Sequence, residues 1–71
     1  MKVYYFSYVN GEKSAWGWGD FGSARFNLYS RLIMMGNAEA AYWAARFHEG
    51  QEPTEIEHLG TTFYVGREIH E

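Results

Sequence analysis

A chain of 71 residues has room for one domain, near the size at which folding buries only about 60% of the unfolded surface, and with no cysteine it has no disulfide or thiolate metal site to add stability. The formal charge of -3 argues against the dense positive field that nucleic-acid binding normally draws on. No apolar run approaches the ~18 residues of a membrane span, and Met1-Lys2 leads straight into a strand pattern, so the reading is a single soluble, cytoplasmic domain over residues 1–71 with no membrane association.

Aromatic residues are 20% of the chain, and rings that bury roughly 150–250 Å2 each are how so short a sequence can build a core. Val3-Tyr4-Tyr5-Phe6-Ser7-Tyr8-Val9 suits a pleated surface and ends at Asn10-Gly11, the dipeptide that best tolerates the positive φ of a tight hairpin. With a two-residue loop, Val9 faces Glu12, and counting back sets Tyr5 opposite Trp16, Tyr4 opposite Gly17 and Val3 opposite Trp18. Trp16 and Trp18 then share a face with Val3, Tyr5, Ser7 and Val9. The other face carries Tyr4, Phe6 and Tyr8 across from Gly17, Ala15 and Lys13, so that bare glycine lies under aromatic rings. Both hairpin faces are aromatic, whereas two short helices can cover only one of them. An aromatic face is therefore expected to stay open.

From Ser23 onward the period changes, and Leu28, Tyr29, Leu32, Ile33 and Met35 form a helical stripe that Gly36-Asn37 interrupts. A second helix is predicted over Ala38 to Glu49, with Asn37 as N-cap, Glu39 in the first turn and Gly50 as the stop. Its alanines allow close approach to a support, with Ala38, Ala41, Tyr42 and Ala45 expected inward. Trp43 and Phe47, four apart, share a face.

Gln51-Glu52-Pro53-Thr54 reads as a linker, because proline cannot continue a helix. Glu55 to Leu59 alternates and suits a short edge strand or one helical turn, and Gly60 marks a turn. Thr61 to Ile69 reads as a strand with Phe63, Val65 and Ile69 on one side and Tyr64, Gly66, Glu68 and His70 on the other. The order implies an α+β domain: an aromatic hairpin, two short helices, and a C-terminal strand completing a small antiparallel or mixed sheet with the helices on one face. The last strand can pair with either member of the hairpin.

Catalytic and metal signatures are absent from the sequence. His48, His58 and His70 each adjoin a glutamate, but none pairs with another at helical i, i+4 spacing. Gly17-Trp18-Gly19-Asp20-Phe21-Gly22 spells GxGxxG, yet tryptophan interleaves the glycines in a hairpin strand and no lysine adjoins them, which is not the strand-to-helix context of a phosphate loop. Ser7, Ser14, Ser23 and Ser30 lack an elbow motif. The expectation is a protein that is not an enzyme and takes no cofactor or metal.

Charge is unevenly spread. Residues 1–48 hold five basic groups against three acids, and residues 49–71 hold Arg67 against six glutamates. The reading that follows is a small protein-interaction module, an adaptor or inhibitor, that uses Tyr4, Phe6, Tyr8, Trp43, Phe47 and Tyr64 as contact surface and Glu52, Glu55, Glu57 and Glu68 as acidic border. Its partner is a protein, or a second copy in a homodimer. The alternative is single-stranded nucleic acid stacked on the aromatic strand faces, against which the net charge weighs. The short, cysteine-free, aromatic-rich character is in the style of phage or prophage accessory proteins.

Overall fold

The computed structural model describes residues 1–49 and 56–71. Strand β1 (Lys2–Val9) turns at Asn10-Gly11 into β2 (Glu12–Lys13), and φ values of 52° and 79° give the turn the left-handed pair that a two-residue hairpin requires. Helix α1 (Phe21–Met34) and helix α2 (Ala38–Ala44) follow, then β3 (Ile56–His58) and β4 (Thr61–His70) about a second such turn at Leu59-Gly60. The sheet is antiparallel throughout, in the order β2-β1-β4-β3. The last strand thus pairs with β1, from Lys2 opposite His70 to Val9 opposite Phe63, and the two longest strands form the centre.

Both helices pack on one face of this sheet, as the α+β reading requires. Ala24, Leu28 and Leu32 of α1, Ala40, Ala41 and Ala44 of α2, and Val9, Phe63 and Val65 of the sheet form the core, edged by Tyr5, Trp18, Phe21, Phe47 and Ile56. Leu28 and Leu32 are wholly buried, and each contributes about 2 kcal/mol of transfer free energy.

The hairpin register departs from the expected one after Lys13. Tyr8 and Val9 face Lys13 and Glu12 as counted, but Tyr5 pairs with Trp18 instead of Trp16, so the returning strand holds two extra residues. Ser14 makes the insertion possible. Its N–H donates to Ser7 O at 2.8 Å, while its hydroxyl oxygen accepts from Ser7 N–H at 3.2 Å and donates to Trp16 O at 3.0 Å. Trp16 is thereby carried out of the ladder and is 70% exposed, and Gly17 comes to lie against Phe6 instead of facing Tyr4. Because the insertion is even, Trp18 keeps the predicted face.

Helix α1 starts two residues earlier than Ser23, because Asp20 caps it: one carboxylate oxygen accepts from Ser23 N–H and the other from the Ser23 hydroxyl, both at 2.9 Å. It ends in a Schellman motif. Gly36, at φ 79°, donates to Ile33 O and Asn37 donates to Leu32 O. Asn37 then caps α2 by accepting from Ala40 N–H at 3.1 Å, as expected.

Helix α2 stops at Ala44, five residues short of the predicted end. Arg46 and Phe47 donate to Trp43 O and Ala44 O, a tightening that swings Phe47 onto Phe63 with ring centroids 6.0 Å apart. Burial of that ring competes successfully with one more helical turn. The inward set also differs: Ala40, Ala41 and Ala44 are buried, whereas Ala38, Tyr42 and Ala45 are exposed, since three contiguous methyl-sized residues let α2 approach more closely than a face containing Tyr42 would. The predicted Gly50 stop and the linker at residues 51–54 lie outside the described residues.

Candidate functional site on the open sheet face

Residues directly opposite one another in an antiparallel ladder share a face, so the register fixes what each side of the sheet presents. Val3, Tyr5, Ser7 and Val9 point toward the helices, with Phe63 and Val65 beside them. On the other side lie Lys2, Tyr4, Phe6, Tyr8 and Lys13, opposite His70, Glu68, Gly66 and Tyr64, with Glu57 and Thr62 toward β3. Among the described residues no helix packs on this second face.

Its rings are ordered by one another. Tyr8 and Tyr64 stack with centroids 4.5 Å apart and planes within 4°, and Tyr8 lies over Gly66 so closely that a β-carbon there would come within 2.6 Å of the ring. Tyr4 meets His70 edge to face at 5.1 Å. Phe6 is enclosed, with Gly17 against its tip and the Lys13 ammonium 4.5 Å above its centroid.

Glu68 ties these parts together. One of its oxygens accepts from Lys13 Nζ at 2.7 Å and from the Tyr8 hydroxyl at 3.4 Å, and the other lies 3.1 Å from His70 Nε2. The Lys13 hydrogen bond, helped by His70, holds the Glu68 carboxyl below the ordinary carboxylate value, and the same bond holds the Lys13 ammonium above its own. Tyr8 is raised chiefly by burial and then by the charge of Glu68. Each of these three shifts deepens the protonation state that the group ordinarily has at neutral pH.

Four of the six expected contact residues, Tyr4, Phe6, Tyr8 and Tyr64, come together on this face, three of them with ring surface accessible. Trp43 and Phe47 do not join them. Trp43 is on the exposed side of α2, edge to face with Tyr42, and Phe47 is in the helix-side core. Of the acidic border, Glu57 and Glu68 lie on the same face as the rings, and Glu52 and Glu55 lie outside the described residues.

Four further exposed rings, Trp16, Phe26, Tyr29 and Tyr42, are not among the expected contact residues. Phe26 is 70% exposed, on the α1 flank that also carries Gly22, Tyr29 and Ile33. The signal was available in the i, i+4, i+8 spacing of Ala24, Leu28 and Leu32, which alone meets the sheet and leaves the neighbouring apolar stripe outside.

A buried polar network on the helix side also escaped the sequence reading. The wholly buried Ser7 hydroxyl donates to Asn27 Oδ1 at 2.6 Å and accepts from Arg31 Nη1 at 2.9 Å, and the same guanidinium donates to Ser7 O and Glu12 O. These bonds satisfy backbone groups that the inserted residues leave without ladder partners. The hollow above them, about 190 Å3, is bounded by Glu12, Trp16, Trp18 and Arg31 and contains no nucleophile paired with a base.

Among the described residues no three histidine, cysteine or acidic side chains form a metal-binding group. His58 Nε2 sits 3.2 Å from Glu39 Oε2, within ion-pair range though off the line of a hydrogen bond. No described helix is long and apolar enough to cross a membrane. Comparison with known proteins finds no matching family model, no similar curated protein and no similar solved structure.

Proposed function

We propose that this protein is a non-enzymatic interaction module, cytoplasmic in setting, that recognises a protein partner through the open sheet face. The reading is supported by one observation above others: Tyr4, Tyr8 and Tyr64 lie on a face that no described helix covers, already fixed by ring contacts and by the Glu68 cluster. Rings held in place before binding lose little side-chain entropy on contact, and tyrosine combines apolar area with a polar tip. Glu57 and Glu68 give the patch a polar rim, consistent with an adaptor or inhibitor.

Single-stranded nucleic acid is the weaker reading, because the basic groups of this face, Lys2 and Lys13, are matched by Glu57 and Glu68, with Lys13 already paired to Glu68. A locally neutral face lacks the phosphate attraction that supplies most of such affinity.

The test is affinity capture from the native host with wild-type protein, Tyr4→Ser and Tyr64→Ser, followed by direct titration of whatever wild type enriches. The expected result is a protein whose affinity falls about tenfold or more in each variant while the thermal midpoint of Tyr4→Ser stays near that of wild type. Variants that lose stability but bind as before would make the rings structural. Tight binding of a labelled oligonucleotide at low salt would replace the protein-partner reading by the nucleic-acid one.

A further inference from the structure

Helix α1 is apolar on two flanks, and among the described residues only one is packed against the rest of the chain. Ala24, Leu28 and Leu32 meet the sheet, while Gly22, Phe26, Tyr29 and Ile33, at spacings of four, three and four, form a second stripe facing solvent. Along it runs a groove of about 420 Å3 lined by Gly22, Arg25, Phe26, Tyr29 and Ala45. One end of the stripe is therefore a notch, at the bare Gly22, and the other is a knob, Ile33.

We infer that this stripe pairs with the same stripe of a second copy, the two α1 helices running antiparallel about a two-fold axis. Antiparallel alignment places residue 22 against 33′ and residue 26 against 29′ in a single register. Ile33 of each copy then enters the notch at Gly22 of the other, and Phe26 stacks on Tyr29′. A pattern that matches its own reverse is what an isologous contact requires.

Charge agrees with this occupant. Helix α1 contains no acidic residue, and its two arginines are already engaged, Arg31 with Ser7 and Glu12 and Arg25 with Phe47 O at 2.8 Å. In the register given, Arg25 meets Ser30′, so no like charges face each other. The groove is mainly apolar, with Arg25 in its lining and the Asp20 carboxylate beside Gly22, so the stripe carries one charge of each sign and a second copy of it is a surface of matching character.

Area sets the expected strength. Phe26, Tyr29, Ile33 and Tyr42 offer on the order of 400 Å2 per copy, and the Arg25 stem, Ala38 and Ala45 extend this toward the lower end of specific interfaces, about 600 Å2 per partner. An interface at this lower end is expected to be weak and to fill only at high protein concentration. Since the stripe lies on the helix side, dimerisation leaves both open sheet faces free, and this inference stands independently of the sheet-face reading.

Sedimentation of the full chain from micromolar to millimolar concentration tests it. Wild type is expected to shift from monomer to dimer, with Phe26→Ser weakening the dimer about tenfold or more and Tyr64→Ser leaving it unchanged. Phe26 makes no core contact, so its loss does not threaten folding. The absence of native cysteine allows a geometric check by mixing Gly22→Cys with Ile33→Cys under mild oxidation. The expected product is the mixed disulfide in preference to either symmetric one, because positions 22 and 33 are about 16 Å apart along the helix and each lies near only the other in the pair. A strict monomer at millimolar concentration overturns the inference. So does a dimer that survives Phe26→Ser, or one that yields no preference for the mixed disulfide.

Discussion

The ring of Tyr8 occupies the space that a side chain at position 66 would need: a β-carbon on Gly66 would lie 2.6 Å from Cε1 and 3.3 Å from Cδ1 of that ring. The ring cannot simply turn aside, since Tyr64 stacks on it at 4.5 Å and Glu68 holds its hydroxyl. Gly66→Ala is therefore expected to cost about 1–3 kcal/mol in urea unfolding, the range of an overpacked site. In a Tyr8→Ala background the same change should cost clearly less, and equal costs in the two backgrounds would mean the ring yields freely.

Leu59 is the one large apolar residue with a left-handed backbone, at φ 51°, and it is 83% exposed. It therefore bears the steric cost of that conformation without gaining burial. Leu59→Asn or Leu59→Gly is expected to stabilise the protein by about 1 kcal/mol, seen as a higher denaturant midpoint at unchanged slope. A loss of stability in both variants would show that the side chain makes contacts worth more than the strain.

Among the described residues Ser7 is the single buried polar side chain, and Asn27 and Arg31 both bond to it. Ser7→Ala removes the donor to Asn27 Oδ1 and one acceptor of Arg31, leaving part-buried polar atoms unmatched, for an expected loss of about 1–3 kcal/mol. Unfolding of Ser7→Ala beside Asn27→Ala and the double variant checks it. A coupling near zero would mean the two side chains do not act together.

The Glu68 cluster gives stability a defined pH window. Glu68 is held below its ordinary 4.5, so its contribution is fully present above that value and is lost as pH falls through the lowered folded value. Lys13 is held above its ordinary 10.5, so the contribution of the pair is lost again only as pH rises through that raised value. Melting of wild type and Glu68→Gln across pH should show the largest difference between these limits, converging in acid. With both partners substantially exposed, the difference should also shrink in high salt.

Much of the fold was legible because it is written in short-range chemistry. Asn10-Gly11 and Gly60 announced the turns, Asn37 announced a cap, and the period-two pattern of Phe63, Val65 and Tyr64 assigned the faces of β4. Where reading failed, a tertiary contact had overridden a local preference: Phe47 left the helix for Phe63, and Ser14 broke the ladder by substituting its own hydroxyl for backbone. The open-face rings were found because β-strand parity survives without coordinates. The α1 stripe was missed because adjacent apolar stripes on one helix look alike until something packs against one of them.

The pair of residues inserted between Lys13 and Trp18 has a meaning for how this molecule can be altered. Adding to a strand in twos is silent, since every later side chain returns to the side it had before, whereas adding one would turn Trp18 out of the interior and upset all that rests on it. With Ser14 kept on Ser7 and Gly17 kept against Phe6, the loop between them can thus be lengthened in even steps, which makes it the natural place to graft a foreign peptide onto this scaffold.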